Sequence, residues 1–225
     1  MSNPNPLAAV EFEINPEARC ACVLLLDTSG SMEGAKIAAL NAGLKTFHDE
    51  ISKDSLASLR VEVAVVTFDS SVKVVQDFVS VADFHPPELK TEGTTHMGSG
   101  IQQALDLIDG RKAIYKANGV QYYRPWIVML TDGEPQGEAE SILNQAVTRL
   151  HEAERNKRVV FFAVGVEGAN QARLATISPP GREPAMLEVV KFNEMFVWLS
   201  ASMSAVSNSK LGDQVALPPA GWISV

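Results

Sequence analysis

The chain has little cysteine, no long apolar run and no excess of positive charge, and each shortage removes a class of protein. Cys20 and Cys22 are its only cysteines among 225 residues, too few for a disulfide-stapled scaffold. They alternate on one apolar stretch and so share a face of an extended strand, where a bridge would require the strand to buckle. Both are expected as small core side chains. No apolar segment approaches the roughly 18 residues of a membrane-spanning helix. The opening Met1-Ser-Asn-Pro-Asn-Pro6 lacks the basic-then-apolar pattern of a leader, so a cytoplasmic location without membrane insertion is the expectation. A net charge of −8 disfavours nucleic acid, whose phosphates need a basic face. Internal repeats, low-complexity tracts and a Gly-x-x-x-x-Gly-Lys-Ser/Thr phosphate loop are also missing from the sequence.

What the sequence does contain is an alternation of strand-length apolar runs with helical patterns. Cys20–Asp27, Arg60–Phe68, Pro125–Thr131 and Arg158–Val166 are rich in aliphatics with almost no polar interruption, as strands covered on both faces are. Between them, Ile37, Leu40, Leu44, Phe47 and Ile51 recur at gaps of three and four, which predicts an amphipathic helix. Helices are likewise expected from Met97 to about Ala117, from about Glu138 to Asn156, and over a closing segment carrying Phe192, Met195, Phe196, Leu199, Met203 and Val206. A short helix is expected at Asn170–Ile177, and a last strand at Met186–Val190. Asp69-Ser-Ser71 is too short for a crossover, so Val72–Phe78 should form an antiparallel edge strand. The expected fold is a doubly wound, Rossmann-like α/β domain, its mostly parallel sheet carrying one antiparallel edge strand and helices on both faces. Residues 1–18 read as a proline-containing arm, 19–207 as the domain, and 208–225 as a tail whose Trp222 either docks on the domain or binds a partner.

Three loops carry chemistry. After the first strand, Asp27-Thr-Ser29-Gly-Ser31 concentrates short oxygen-bearing side chains around a glycine. Asp27, Ser29 and Ser31 can point three hard ligands into one volume, suited to Mg²⁺, Mn²⁺ or Ca²⁺. The same residues also suit a helix cap beside an ordinary loop carboxylate. Thr131-Asp132-Gly-Glu-Pro135 repeats the arrangement after a second apolar run, and Glu92-Gly-Thr94-Thr95-His96-Met-Gly98 brings threonines to a helix start. Sites in open α/β sheets form beyond the carboxyl ends of the strands, where these loops can meet. Asp69 and Ser70 resemble a further ligand pair but are common turn formers. Glu134 either hydrogen-bonds the water shell of such a site or serves the turn.

Together these motifs resemble the metal-ion-dependent adhesion site of the von Willebrand factor A family, with its Asp-x-Ser-x-Ser, isolated Thr and distal Asp. The resemblance implies metal ligation by Asp27, Ser29, Ser31, Thr95 and Asp132. Thr95 is chosen over Thr94 because Thr-x-Met-Gly-x-Gly-Ile follows the family's run after its threonine. It implies Mg²⁺ most readily, with Mn²⁺ or Ca²⁺ as alternatives. Two aspartates neutralise a divalent cation, and five side chains arriving from one side leave a position for an outside ligand. In the family that ligand is a Glu or Asp of a partner protein. Within the family, Leu-Leu-Leu-Asp-Thr-Ser-Gly-Ser-Met, Gly-Thr-Thr, Leu-Thr-Asp-Gly-Glu-Pro and the closing Phe196-Val-Trp-Leu-Ser-Ala-Ser-Met-Ser-Ala-Val-Ser207 most resemble the bacterial tellurium-resistance TerY group. That resemblance implies a cytoplasmic stress-response protein with kinase, phosphatase or other tellurium-resistance partners.

The rival class is an enzyme. A Mg²⁺-dependent phosphatase of haloacid-dehalogenase type also places an Asp after its first strand, but its chemistry needs a second acid two positions on. Ser29 stands there. His96 is the one histidine near the proposed site, and it reads as a loop residue for partner recognition. The expectation is a non-enzymatic binding module with no catalytic residues.

Overall fold

The computed structural model describes Phe12 and residues 14–223. Its sheet contains β1 (Cys20–Asp27), β2 (Val61–Phe68), β3 (Val72–Ser80), β4 (Trp126–Thr131), β5 (Val160–Val166) and β6 (Ala185–Leu187). They lie in the order β3-β2-β1-β4-β5-β6. Every neighbouring pair is parallel except β2 with β3, which pair antiparallel at the sheet edge. The strand order reverses direction at β1, so the loops after β1 and β4 diverge to opposite faces and leave a crevice between them.

Period-two alternation explains why β1 is apolar throughout. Cys20, Cys22, Leu24 and Leu26 enter one core with Leu40, Leu44 and Phe47 of α1 (Ala35–Ile51) and Phe196 and Leu199 of α6 (Phe192–Ser207). Ala21, Val23 and Leu25 enter the other, against α3 (Met97–Ala117) and α4 (Glu140–Arg155). Both faces are covered, so each leucine contributes about 1.5–3 kcal/mol of burial. The free thiols of Cys20 and Cys22 are buried; burial pushes the Cys20 thiol up to about 12. At Gly43, α1 and α6 approach so closely that an added Cβ would overlap the Phe196 ring.

Some local expectations shift. Ser55–Arg60 forms a short helix, α2, capped by the Asp54 carboxylate accepting from Leu56 and Ala57 amides at 3.0 Å each. Arg60 therefore ends a helix rather than opening a strand. The last strand is three residues long and is followed by a 3-10 turn at Val189–Lys191. Between β5 and β6 lies α5 (Gln171–Ile177), capped by the Asn170 side chain. Gly165 makes room for the side chains of Leu174 and Met186, not for a neighbouring backbone.

Of the amino-terminal arm, residues 1–11 and 13 lie outside the described residues; Phe12 is buried edge-on to Tyr115 and under the guanidinium groups of Arg19 and Arg111. Those arginines converge on Glu62, which is fully buried: Arg19 Nε donates at 2.9 Å, Arg111 Nε at 2.7 Å, and the Tyr115 hydroxyl also donates to it. At the other end, Trp222 is buried edge-on to Trp198 at 5.5 Å, and the Trp198 indole N–H donates to the Pro218 carbonyl at 2.8 Å. The described part of the tail thus docks on the domain. Among the described residues, no helix is long and apolar enough to cross a membrane.

Candidate functional site

Register brings the first two carboxylates together. Leu26 pairs with Leu130, so Asp27 and Thr131 end adjacent strands side by side, and Asp132 follows on the next residue. Asp27 is wholly buried, yet its oxygens are occupied: the Ser29 amide donates to Oδ1 at 2.8 Å, and the Thr131 hydroxyl donates to Oδ2. A 3-10 turn at Gly30–Met32 then folds the loop back. Ser29 and Ser31 hydroxyls lie 3.0 Å apart, and the Ser31 hydroxyl donates to Asp132 Oδ1 at 2.6 Å. Ser29 and Asp132 are buried, whereas Ser31 is exposed and forms the rim.

The threonine loop arrives by backbone pairing. Thr95 and Gln136 exchange two N–H···O bonds of 3.0 Å, the Gly30 amide donates to the Gly93 carbonyl at 3.1 Å, and the Glu92 amide donates to the Thr28 carbonyl at 2.8 Å. The two threonines face different ways. Thr94 Oγ1 lies 3.1 Å from the Ser70 hydroxyl. Thr95 Oγ1 lies against Gly133, where a Cβ would sit 3.3 Å from it, 3.6 Å from Asp27 Oδ2 and 3.6 Å from Ser31 Oγ. Three hard oxygens from two loops therefore surround one small volume that Gly133 of the third loop leaves open.

This volume tests the fit of a divalent cation. Two carboxylates with three hydroxyl groups are the oxygen donors that Mg²⁺, Mn²⁺ or Ca²⁺ prefer. Among the described residues, no three of His, Cys, Asp and Glu gather as a metal cluster, so the donor set depends on its hydroxyl groups. Burial, with a smaller contribution from Asp132, pushes the Asp27 carboxyl up to about 6, against the opposing pull of the Ser29 and Thr131 hydrogen bonds. A buried carboxylate under such pressure is favoured by a nearby cation. The residues present fit the group.

Several residues that shape the site were not evident from motifs. Lys36, in the first turn of α1, forms an ion pair with Asp132 Oδ2 and lies 3.5 Å from the Ser31 carbonyl. It already balances the charge of Asp132. A lone basic residue one turn after an Asp-x-Ser-x-Ser loop is a signal, but its partner is 96 positions away. Asp69 forms the turn expected of it, accepting from Ser71, and also accepts the Thr28 hydroxyl at 3.1 Å, which ties the β2–β3 turn to the first loop. Glu138 caps the start of α3, accepting from the Gly98 and Ser99 amides. Glu134 faces Arg173 at 3.8 Å, and His96 Nε2 lies beside Gly137 rather than among the five oxygens.

This chain belongs to the von Willebrand factor type A domain family, whose model matches residues 22–197. Domains of this family commonly mediate protein–protein interaction and adhesion. Solved structures share the fold at low identity. A von Willebrand factor type A protein from Catenulispora acidiphila superposes with a TM-score of 0.62 at 18% identity, covering 84% of this chain and 43% of that one. The pilus adhesin SpaC from Lactobacillus rhamnosus GG gives 0.64 at 14%, covering 84% and 30%. The vWF domain of the type V pili tip protein Mfa5 from Porphyromonas gingivalis gives 0.61 at 11%, covering 88% and 99%. The chain thus spans less than half the length of the first two. No curated protein sequence matches it significantly.

Proposed function

We propose that this domain is a non-enzymatic, divalent-metal-dependent adhesion module that captures an acidic side chain of a partner protein. The observation that carries the reading is the convergence of Asp27, Ser31 and Thr95 oxygens around Gly133, with Ser29 and Asp132 hydrogen-bonded to the same Ser31. Asp27, Ser29, Ser31, Thr95 and Asp132 would hold Mg²⁺, or Mn²⁺ or Ca²⁺ in its place. Once bound, the ion supplies a Lewis-acidic position for an outside carboxylate. The protein's own part is to hold the oxygens ready: Thr131 and the Ser29 amide orient Asp27, and Lys36 holds Asp132 while leaving Ser31 at the surface. Ser29 in place of a second acid argues against phosphatase chemistry.

In this reading residues 19–207 form the adhesion domain, with 1–18 as its arm and 208–225 as its tail. The closing-helix resemblance to the TerY group supports a cytoplasmic role in a bacterial tellurium-resistance or stress system, with a kinase or phosphatase of that system as the partner. Calorimetric titration of chelator-treated protein with Mg²⁺, Mn²⁺ and Ca²⁺ tests the site. Wild type should bind and Asp27→Ala should not; binding of a Glu-bearing partner at full strength in chelator would overturn the reading. Fractionation of the native host tests the location.

A further inference from the structure

The pole opposite the candidate metal site carries a second surface of different character. A groove of about 1450 Å³ opens between the amino-terminal ends of β4 and β5, the last turns of α3 and the chain after α6. Six of the chain's 19 lysines and arginines line it: Lys112, Lys116, Arg124, Lys157, Arg158 and Arg182. The lining carboxylates are Asp109 and Asp213 alone. In a protein of net charge −8, this is a local reversal of sign. Asp109 serves Arg158 at 2.8 Å and lies 3.7 Å from Lys112, while Glu154 behind the groove serves both Arg124 and Arg182. Arg124 Nε is nevertheless buried without a hydrogen-bond partner. The exposed ammonium groups of Lys116 and Lys157 sit on the rim. Burial lowers the Lys112 ammonium pKa; Asp109 opposes the shift, and Arg158 and Lys116 add to it.

Two more features describe what the groove would hold. Its floor is aromatic, with Trp126 against Phe162 at 4.9 Å and Arg182 stacked over Phe162. One wall is the run Gln214–Leu217, for whose backbone amides and carbonyls there is no intramolecular hydrogen bond among the described residues. Unpaired backbone beside a groove suits an extended chain, which can hydrogen-bond along it. A long polyanion such as RNA is disfavoured by the chain's net charge of −8.

We propose that this groove is a second docking site, for an extended acidic polypeptide segment of a partner whose Glu and Asp carboxylates meet the rim ammonium groups of Lys116 and Lys157 while its apolar side chains lie beside Phe162. The site is independent of the metal and lies at the opposite end of the sheet from Asp27.

The test uses the full chain in chelator, so that the metal site is silent, and fluorescence anisotropy of a labelled peptide of alternating Glu and Val. A version with phosphoserine for Glu is the comparison. Wild type should bind the Glu peptide, more weakly at physiological than at low salt. Lys116→Glu combined with Lys157→Glu changes two exposed rim charges and should weaken binding about tenfold. Asp27→Ala should bind as wild type does, which keeps this result separate from the fate of the metal reading. Failure of the Glu peptide to bind, tighter binding of the phosphoserine version, equal binding by the rim variant, or tighter binding of an oligouridylate would each overturn the proposal.

Discussion

Asp27→Asn should make the metal-free protein more stable near neutral pH while removing its response to Mg²⁺. The reasoning starts from a carboxyl that burial pushes from 3.8 to about 6. An acid held higher in the folded state binds its proton more tightly there than in the unfolded chain. Between about pH 4 and pH 6 the unfolded state therefore loses its proton first, and stability falls as pH rises. Above about 6 the deficit levels off at about 3 kcal/mol, the free-energy equivalent of the shift from 3.8 to about 6. Asn keeps the shape and an oxygen for the Ser29 amide but carries no charge. Urea denaturation in chelator at a series of pH values should show the variant gaining on wild type from about pH 4 to 6 and holding its lead above. Saturating Mg²⁺ should then raise wild type alone, by about 2.7 kcal/mol at a hundred times its Kd. A stability difference between the two that stays flat across this window would refute the account of Asp27, and equal stabilisation of both by Mg²⁺ would place any bound ion elsewhere.

Lys36→Met removes the cation that competes for Asp132, so Mg²⁺ affinity should rise by roughly two- to fivefold, the worth of a partly exposed ion pair; calorimetry showing weaker binding would mean that Lys36 supports the ion. Glu62→Ala strands the buried Arg19 and Arg111 and should cost about 3–5 kcal/mol in chemical denaturation; a loss below about 1 kcal/mol would mean water replaces the carboxylate. Gly43→Ala improves helix propensity yet forces a methyl into the Phe196 ring, for a net loss of about 1–3 kcal/mol that Phe196→Leu should partly relieve. Trp222→Ala removes the tail's dock on Trp198 and should lower stability by about 3 kcal/mol, and an unchanged melting transition would refute that contribution.

The elements most legible in the sequence are those whose signal is local. The four apolar runs became the four central strands because burial on both faces leaves no polar position to blur the pattern. Asp69-Ser-Ser71 was readable as a hairpin turn because so short a link cannot cross over a sheet. The helix Ser55–Arg60 was not legible, since six residues without apolar periodicity depend on the Asp54 cap and on packing. The end of β6 was blurred for a similar reason: Leu-Glu-Val-Val continues the apolar text, but only Ala185–Leu187 find a partner on β5.

By itself, the sequence determined the strand and helix alternation, the doubly wound class and the identity of the oxygen-bearing loops, because each is written in residues a few positions apart. The family's run after Thr95 marked it out from Thr94 in the sequence, but what each hydroxyl faces, Gly133 for Thr95 and Ser70 for Thr94, was decided by tertiary structure. It also joined Lys36 to Asp132 and Arg19, Arg111 and Tyr115 to Glu62. The basic groove is of the same kind. Its cations come from α3, the β4 and β5 approaches and the loop before β6, and the short basic runs Arg111–Lys116 and Arg155–Arg158 do not by themselves show that they meet. Charge that is diluted along a sequence can be concentrated in space, since strand order and not chain order sets which segments become neighbours.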